Sequence, residues 1–122
     1  MFQIDPTLAL ISRDLDACAL RQNVYAANVA NVNTPGYKPL DVEFESSLRA
    51  AAQTLEGAPA DEQSAVLDTV QPTVVPAASG TVELDQQLAL MSQNAIHYET
   101  LLGAFEKSIG LLRLAILEGK NG

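Results

Sequence analysis

From Leu84 to Ile116, apolar residues recur at alternating steps of four and three: Leu84, Leu88, Met91, Ala95, Tyr98, Leu102, Phe105, Ile109, Leu112 and Ile116. No polar residue interrupts the series. Such a seam predicts a single long helix, slightly under-wound toward 3.5 residues per turn. At the rise of an α-helix it would be about 50 Å long. In a chain of 122 residues, a rod of that length leaves too little polypeptide to close a globular core around it, so it needs a partner along its length.

A second seam near the start of the chain offers that partner. Ile4, Leu8, Ile11, Leu15, Cys18, Gln22, Tyr25, Val29 and Val32 follow the same fours and threes. Asp5 and Pro6 make a helix start, since Asp caps free N–H groups and Pro at the first helical position gives up no hydrogen bond. Gln22 is the one polar entry, and a buried polar residue in such a seam commonly fixes register. The apolar content is mostly Ala, Leu and Val, with no Trp, which favours helix-on-helix packing over an aromatic-filled sandwich. The expected fold is therefore mainly α: two long terminal helices packed as a coiled-coil hairpin, with an irregular acidic middle rich in Pro and Ala.

One face does not exhaust the last helix. Leu90, Ile96, Leu101, Leu111, Leu114 and Leu117 lie on its flanks and back, and from Leu111 onward it is apolar nearly all round. A helix of that kind is buried on more than one side. Gly103 and Gly110, seven residues apart, each cost about 1 kcal/mol relative to Ala in a helix interior. Close approach of a neighbouring helix would offset that cost. A four-helix bundle formed by a homodimer explains the flanks equally well on physical grounds alone.

Between the seams the chain divides into recognisable pieces. Residues 1–33 read as the first helix, 34–56 as a turn followed by short extended and helical segments, 57–80 as a loop, and 81–122 as the last helix. Asn31 or Asn33 can end the first helix in a left-handed conformation, and Pro35-Gly36 fits the centre of a type II turn. Leu40 to Phe44 alternates like a short strand, and Phe44 to Leu55 favours a short helix. In 57–80, Pro59, Pro72 and Pro76 punctuate small residues and acids. A mobile loop in the free monomer is the expectation there, with a short hairpin from Val66 to Val75, which would make a β element of the middle, as the alternative. Thr81 is placed to cap the last helix, with Asp85 complementing its dipole.

The formal charge of -8 is localised. Between Asp41 and Asp85 lie nine acids and one base, Arg49, so the two ends are electrically neutral and the middle carries the whole excess. Neutral ends can pack against copies of themselves, whereas an acidic middle favours water. With no basic patch, nucleic acid is excluded as a partner. No apolar span of membrane length occurs. The beginning of the chain lacks the basic and apolar regions of a signal peptide, so any export is expected to proceed without a cleaved one.

Catalytic chemistry finds no footing. The one His, His97, and the one Cys, Cys18, are too few for a metal cluster or a Cys/His pair with spare ligands. Cys18 reads as a small buried hydrophobe and His97 as a structural or solvent-facing residue, with a small enzyme working through His97 as a distant alternative. Asp14 and Asp16 point to different helix faces, Glu43 and Glu45 sit in a charged segment, and no glycine-rich phosphate loop is present. No cofactor is called for.

The stretch Ala27-Asn28-Val29-Ala30-Asn31-Val32-Asn33-Thr34-Pro35-Gly36-Tyr37-Lys38 carries more side-chain amides than a helix stop needs. It resembles the N-terminal signature of the flagellar axial proteins, the rod and hook family, whose usual form is A-x-N-[IL]-A-N-x-x-T-x-G-[YF]. A second match, Val82-Glu83-Leu84-Asp85-Gln86-Gln87 leading through Asn94 to Tyr98, resembles the V-D-M-D-x-E and N-x-x-x-Y pattern of the short proximal rod members, with Glu83 and Gln87 departing from it. The resemblance covers about the first 50 and last 42 residues and not the middle. It implies a structural subunit of the bacterial flagellar basal body, in a periplasmic rod, assembling through its terminal helices into a torque-transmitting tube. Asn28, Asn31, Asn33, Thr34, Pro35, Gly36 and Tyr37 would be the assembly motif. The partners implied are copies of itself, other rod proteins, the MS ring, the adaptor FliE and the flagellar type III export apparatus. A different rod paralogue, or a soluble coiled-coil adaptor or export chaperone, remains the alternative reading.

Overall fold

A computed structural model describes residues 6–121. Asp5 and Ile4, assigned to the first cap and seam, lie outside the described residues, as does Gly122. Two helices dominate: α1 (Pro6–Ala30) and α4 (Leu84–Asn121). Pro6 occupies the first position of α1, where its fixed φ fits and its missing N–H is harmless. With 25 and 38 residues, the two helices are about 37 and 57 Å long. They pair as an antiparallel hairpin, the most extensive contact in the chain, and the far end of α4 runs past the start of α1. No described helix is long and apolar enough to cross a membrane.

The middle is more ordered than its composition promises. Leu40–Glu43 forms β1, Glu45–Leu55 forms α2, Ala60–Asp68 forms α3 and Thr73–Pro76 forms β2. The strands pair antiparallel, with Leu40 opposite Pro76 and Glu43 opposite Thr73. The two-stranded sheet is therefore not a hairpin within Val66–Val75. Val66 and Leu67 belong to α3, whereas Val74 and Val75 pair with β1, some thirty residues earlier in the chain. Local turn signals do not report a ladder of that separation. Pro76 ends its strand, where it withholds no needed donor.

Helix ends differ from expectation in two places: neither Asn31 nor Asn33 closes α1 in a left-handed conformation, since among the described residues Gly36 alone has a positive φ, and Thr81 does not cap α4. α4 starts at Leu84, three residues beyond Thr81, because the Glu83 carbonyl accepts the first helical hydrogen bond from Gln87 N at 3.0 Å. Thr81 is held instead by Ser79, whose Oγ donates to the Thr81 carbonyl at 2.9 Å. At α2 the N-cap residue is Phe44, whose side chain offers no acceptor. The preceding residue substitutes for it: Glu43 Oε1 accepts from Ser46 N at 3.0 Å and from Ser46 Oγ at 2.7 Å. Those two hydrogen bonds hold the Glu43 carboxyl below its ordinary pKa.

Two small cores attach this middle to the hairpin. In one, Ala17 of α1 meets Phe44, Ala51 and Val70, with Leu10, Leu48 and Val66 around them. In the other, Val24 and Tyr25 meet Val42 of β1, with Leu20, Leu90 and Met91 closing it from both long helices. Each fully buried aliphatic or Phe side chain contributes about 1.5–3 kcal/mol, so Phe44, 1% exposed, is a principal anchor. α1 is thus sandwiched, with α4 on one side and the middle on the other. Its bases meet acids of the middle: Arg21 pairs with Glu45, and Arg13 lies 3.6 Å from Asp68. These exposed pairs orient the middle more than they stabilise it.

Candidate functional site

The Asn-rich stretch closes α1 and turns the chain back over it. Asn31 Nδ2 donates to the Ala27 carbonyl at 2.8 Å, and its Oδ1 accepts from Thr34 Oγ1 at 3.1 Å. Thr34, Pro35, Gly36 and Tyr37 then form the turn, closed by Tyr37 N donating to Thr34 O at 3.2 Å. Gly36 has φ of 77°, the left-handed value that the third position of a type II turn demands and that residues with a Cβ resist. Asn33 is exposed and makes no side-chain hydrogen bond among the described residues.

Asn28 is the hub to which this turn delivers its partners. It is fully buried, and all four of its hydrogen-bonding positions are used. Nδ2 donates to the Leu40 carbonyl at 2.8 Å and to Gln87 Oε1 at 3.0 Å. Oδ1 accepts from Tyr37 O–H at 2.9 Å and from Leu40 N at 3.1 Å. One amide therefore joins α1, the turn, the start of β1 and the first turns of α4. Gln87, 5% exposed, presents an oxygen there, and a Glu at the same position would present one too. That contact accounts for a buried polar residue on the inward face of α4.

A second polar layer lies further along the hairpin. Asn94 Nδ2 donates to the Cys18 carbonyl at 2.8 Å and to Gln22 Oε1 at 3.0 Å. Gln22, read from sequence as a register device, thus has its partner 72 residues away. Beyond it, His97 Nε2 lies 3.3 Å from Asp14 Oδ2. Tyr25 O–H reaches Asp41 Oδ1 at 3.4 Å. Burial first, and then the Asp41 charge, push the Tyr25 phenol above its usual pKa, against the pull of Arg21.

This polar layering changes which face of α4 is turned inward. Gln87, Asn94, Leu101 and Ser108, each seven residues apart, are buried or half-buried. They sit one position before Leu88, Ala95, Leu102 and Ile109 of the apolar seam. Met91, Phe105 and Ile109 are half-buried, but Leu84, Leu88, Tyr98, Leu102, Leu112 and Ile116 are 37–50% exposed. On α1, Leu8, Cys18 and Tyr25 are buried and Ile11, Leu15 and Val29 half-buried. The reason is energetic: a buried amide left unpaired costs about 1–3 kcal/mol, and Gln87 and Asn94 find acceptors and donors on α1. A row of leucines has no such constraint and can wait for another surface.

The exposed row continues to the end of the helix. Leu111, Leu114 and Leu117 are 55–59% exposed and Ile96 65%. A methyl group placed on Gly103 or Gly110 would meet no atom within 4 Å, so the close helix approach those glycines permit does not occur within the described chain. Sequence reasoning treated the apolar series as the intrachain seam and missed Gln87 and Asn94 as its inward residues. Their seven-residue spacing and their alignment with Gln22 and Asn28 were the available signals.

Comparison with known proteins takes in the Asn-rich turn. The family described as flagella basal body rod protein matches residues 15–38, which span the second half of α1 and the turn. Among curated relatives, the flagellar basal body rod protein FlgB of Cereibacter sphaeroides is 31% identical over 108 residues, covering 79% of this chain and 82% of its own length. FlgB of Escherichia coli strain K12 is 28% identical over 129 residues, covering 88% and 90%. FlgB of Bacillus subtilis strain 168 is 24% identical over 123 residues, covering 93% and 95%. These matches run through the middle of the chain as well as its ends.

Proposed function

The chain belongs to the FlgB family of flagellar basal-body rod proteins, and from that premise we propose how its geometry serves the rod. It is a structural subunit of the basal-body rod and assembles with other basal-body components. Its work is packing and not catalysis. The observation that carries this reading is the row Leu84, Leu88, Leu102, Leu112 and Ile116, exposed on α4 beside an intrachain interface whose polar groups are already satisfied.

In this reading the terminal segments 1–33 and 81–122, built around α1 and α4, form the assembly unit. The Asn28 hub fixes the turn of 34–56 and sets the hairpin register, and residues 57–80 complete a side unit facing outward. The leucine row and the extension Leu111 to Leu117 take up helices of neighbouring subunits, each buried Leu contributing about 1.5–3 kcal/mol. Gly103 and Gly110 let one of those helices approach closely. The tube so formed transmits torque from the proximal rod, contacting the MS ring, the adaptor FliE and the next rod proteins. The chain reaches the periplasm through the flagellar type III apparatus.

Complementation tests the proposal. In a non-motile strain deleted for its own FlgB, the chain should restore swimming and appear at the base of the rod in images of purified basal bodies. Leu88→Gln with Leu102→Gln should abolish both while leaving helix content unchanged. Wild-type swimming by that double variant would refute the packing role of the row, and a closed, discrete dimer in light scattering would favour an adaptor.

A further inference from the structure

The chain's one thiol and one imidazole, 79 positions apart in sequence, are brought together by the hairpin. Asp14 and Cys18 lie one helical turn apart on α1, and His97 meets them from α4. One oxygen of Asp14, the sulfur of Cys18 and a ring nitrogen of His97 all lie within 4.8 Å of one another. Counting ligand types along the chain excludes a metal centre, whereas the tertiary arrangement assembles a set of three.

We propose that Asp14, Cys18 and His97 form a binding site for a divalent transition-metal ion of borderline softness, Zn²⁺ foremost, which clamps α1 to α4.

Three observations carry it. The first is spacing. With metal–N and metal–O bonds of about 2.0–2.2 Å, two ligands of a tetrahedral ion stand about 3.3 Å apart. The Asp14–His97 contact is already 3.3 Å, and the sulfur lies within 4.8 Å of both groups. The second is donor chemistry: one thiolate, one imidazole and one carboxylate suit Zn²⁺ or Co²⁺ and are a poor set for Mg²⁺ or Ca²⁺. The third is access. The His97 side chain is 48% exposed, so an ion meets the imidazole and the adjoining Asp14 carboxylate from solvent.

The chemistry balances simply. The ion replaces the proton of the Cys18 thiol, which leaves to solvent, and forms a metal–sulfur bond. His97 gives its Nε2 lone pair as the Nδ1–H tautomer, so its hydrogen bond to Asp14 is exchanged for coordination by both groups. Burial and then the Asp14 carboxylate push the free thiol above its ordinary pKa, against the pull of Arg21, and the charge of a bound ion acts in the opposite direction. Three protein ligands leave one tetrahedral position for water or for a donor from a neighbouring subunit. The site needs nothing from the rod reading, since both helices that build it lie in one chain.

The test uses the full chain, without an affinity tag, reduced and freed of metal by chelator. Titration with Co²⁺ should give a one-to-one complex with a thiolate-to-cobalt charge-transfer band. Zn²⁺ should displace the cobalt, raise Tm and protect Cys18 from a thiol reagent. Loss of groups that merely support a ligand costs 10–100-fold in affinity, so Cys18→Ser, His97→Gln and Asp14→Asn should each weaken binding about a hundredfold. Circular dichroism of each variant confirms the fold, and the wild-type spectrum decides the matter if one variant unfolds. Absence of the charge-transfer band in the wild type, or binding undiminished in folded His97→Gln and Cys18→Ser, would overturn the assignment.

Discussion

Asn28 and Gln87, 59 residues apart, share a hydrogen bond of 3.0 Å inside the hairpin, with Asn28 donating through the same nitrogen that holds the Leu40 carbonyl. This single amide couples the end of α1 to the start of α4 and fixes where β1 begins. Because it uses two donors and two acceptors, no other uncharged side chain of its size can replace it at that position.

Asn28→Ala should therefore lower stability by about 3 kcal/mol, since it strands the Leu40 N–H and carbonyl, the Tyr37 hydroxyl and Gln87 together. Asn33→Ala, at an exposed residue five positions on, should change it by less than about 0.5 kcal/mol. Urea unfolding followed by circular dichroism measures both. Equal effects would remove Asn28 from its place as hub.

Tyr25 predicts an alkaline limb. Its phenol is raised by burial and by Asp41 of β1, with Glu45 of α2 adding to the effect and Arg21 of α1 opposing it. A group whose folded pKa lies above its unfolded value stabilises fully below the unfolded pKa, here about 10, and that stabilisation is lost as pH rises through the folded value. Stability of the wild type should fall from about pH 10 upward. Tyr25→Phe should flatten that slope while costing under about 1 kcal/mol at neutral pH, as denaturant midpoints across the range would read.

Glu43 predicts the opposite limb. Its carboxyl is lowered by the two hydrogen bonds from Ser46, so its contribution is present above the unfolded carboxylate pKa, about 4.3, and disappears as pH falls through the lower folded value. Glu43→Gln should weaken α2 at neutral pH and lose its difference from wild type in acid. Hydrogen exchange of the Ser46 amide, compared at neutral and low pH, tests this locally. A difference that persists undiminished in acid would contradict the cap.

The end of α4 separates folding from association. Leu111, Leu114 and Leu117 are more than half exposed, so replacing all three by Gln should leave the monomer's unfolding midpoint within about 0.5 kcal/mol per site of wild type. Self-association measured by sedimentation should weaken sharply, because each of these side chains is worth about 1.5–3 kcal/mol once buried. Loss of monomer stability without loss of association would contradict the assignment.

Much of this protein is written locally. The fours and threes of two apolar series set two long helices, Pro6 marks where one begins, and Pro35-Gly36 sets a turn, because each of these signals acts over a few neighbouring residues. Leu40 to Glu43 and Glu45 to Leu55 were legible for the same reason. What only the tertiary structure decided is which face of α4 turns inward, which strand β1 pairs with, and that Asp14, Cys18 and His97 converge. These depend on partners 30 to 83 residues away. Gln87 and Asn94 have to satisfy their amides on α1 before the leucines beside them are placed, and hydrophobic periodicity, which counts apolar positions alone, does not register that requirement.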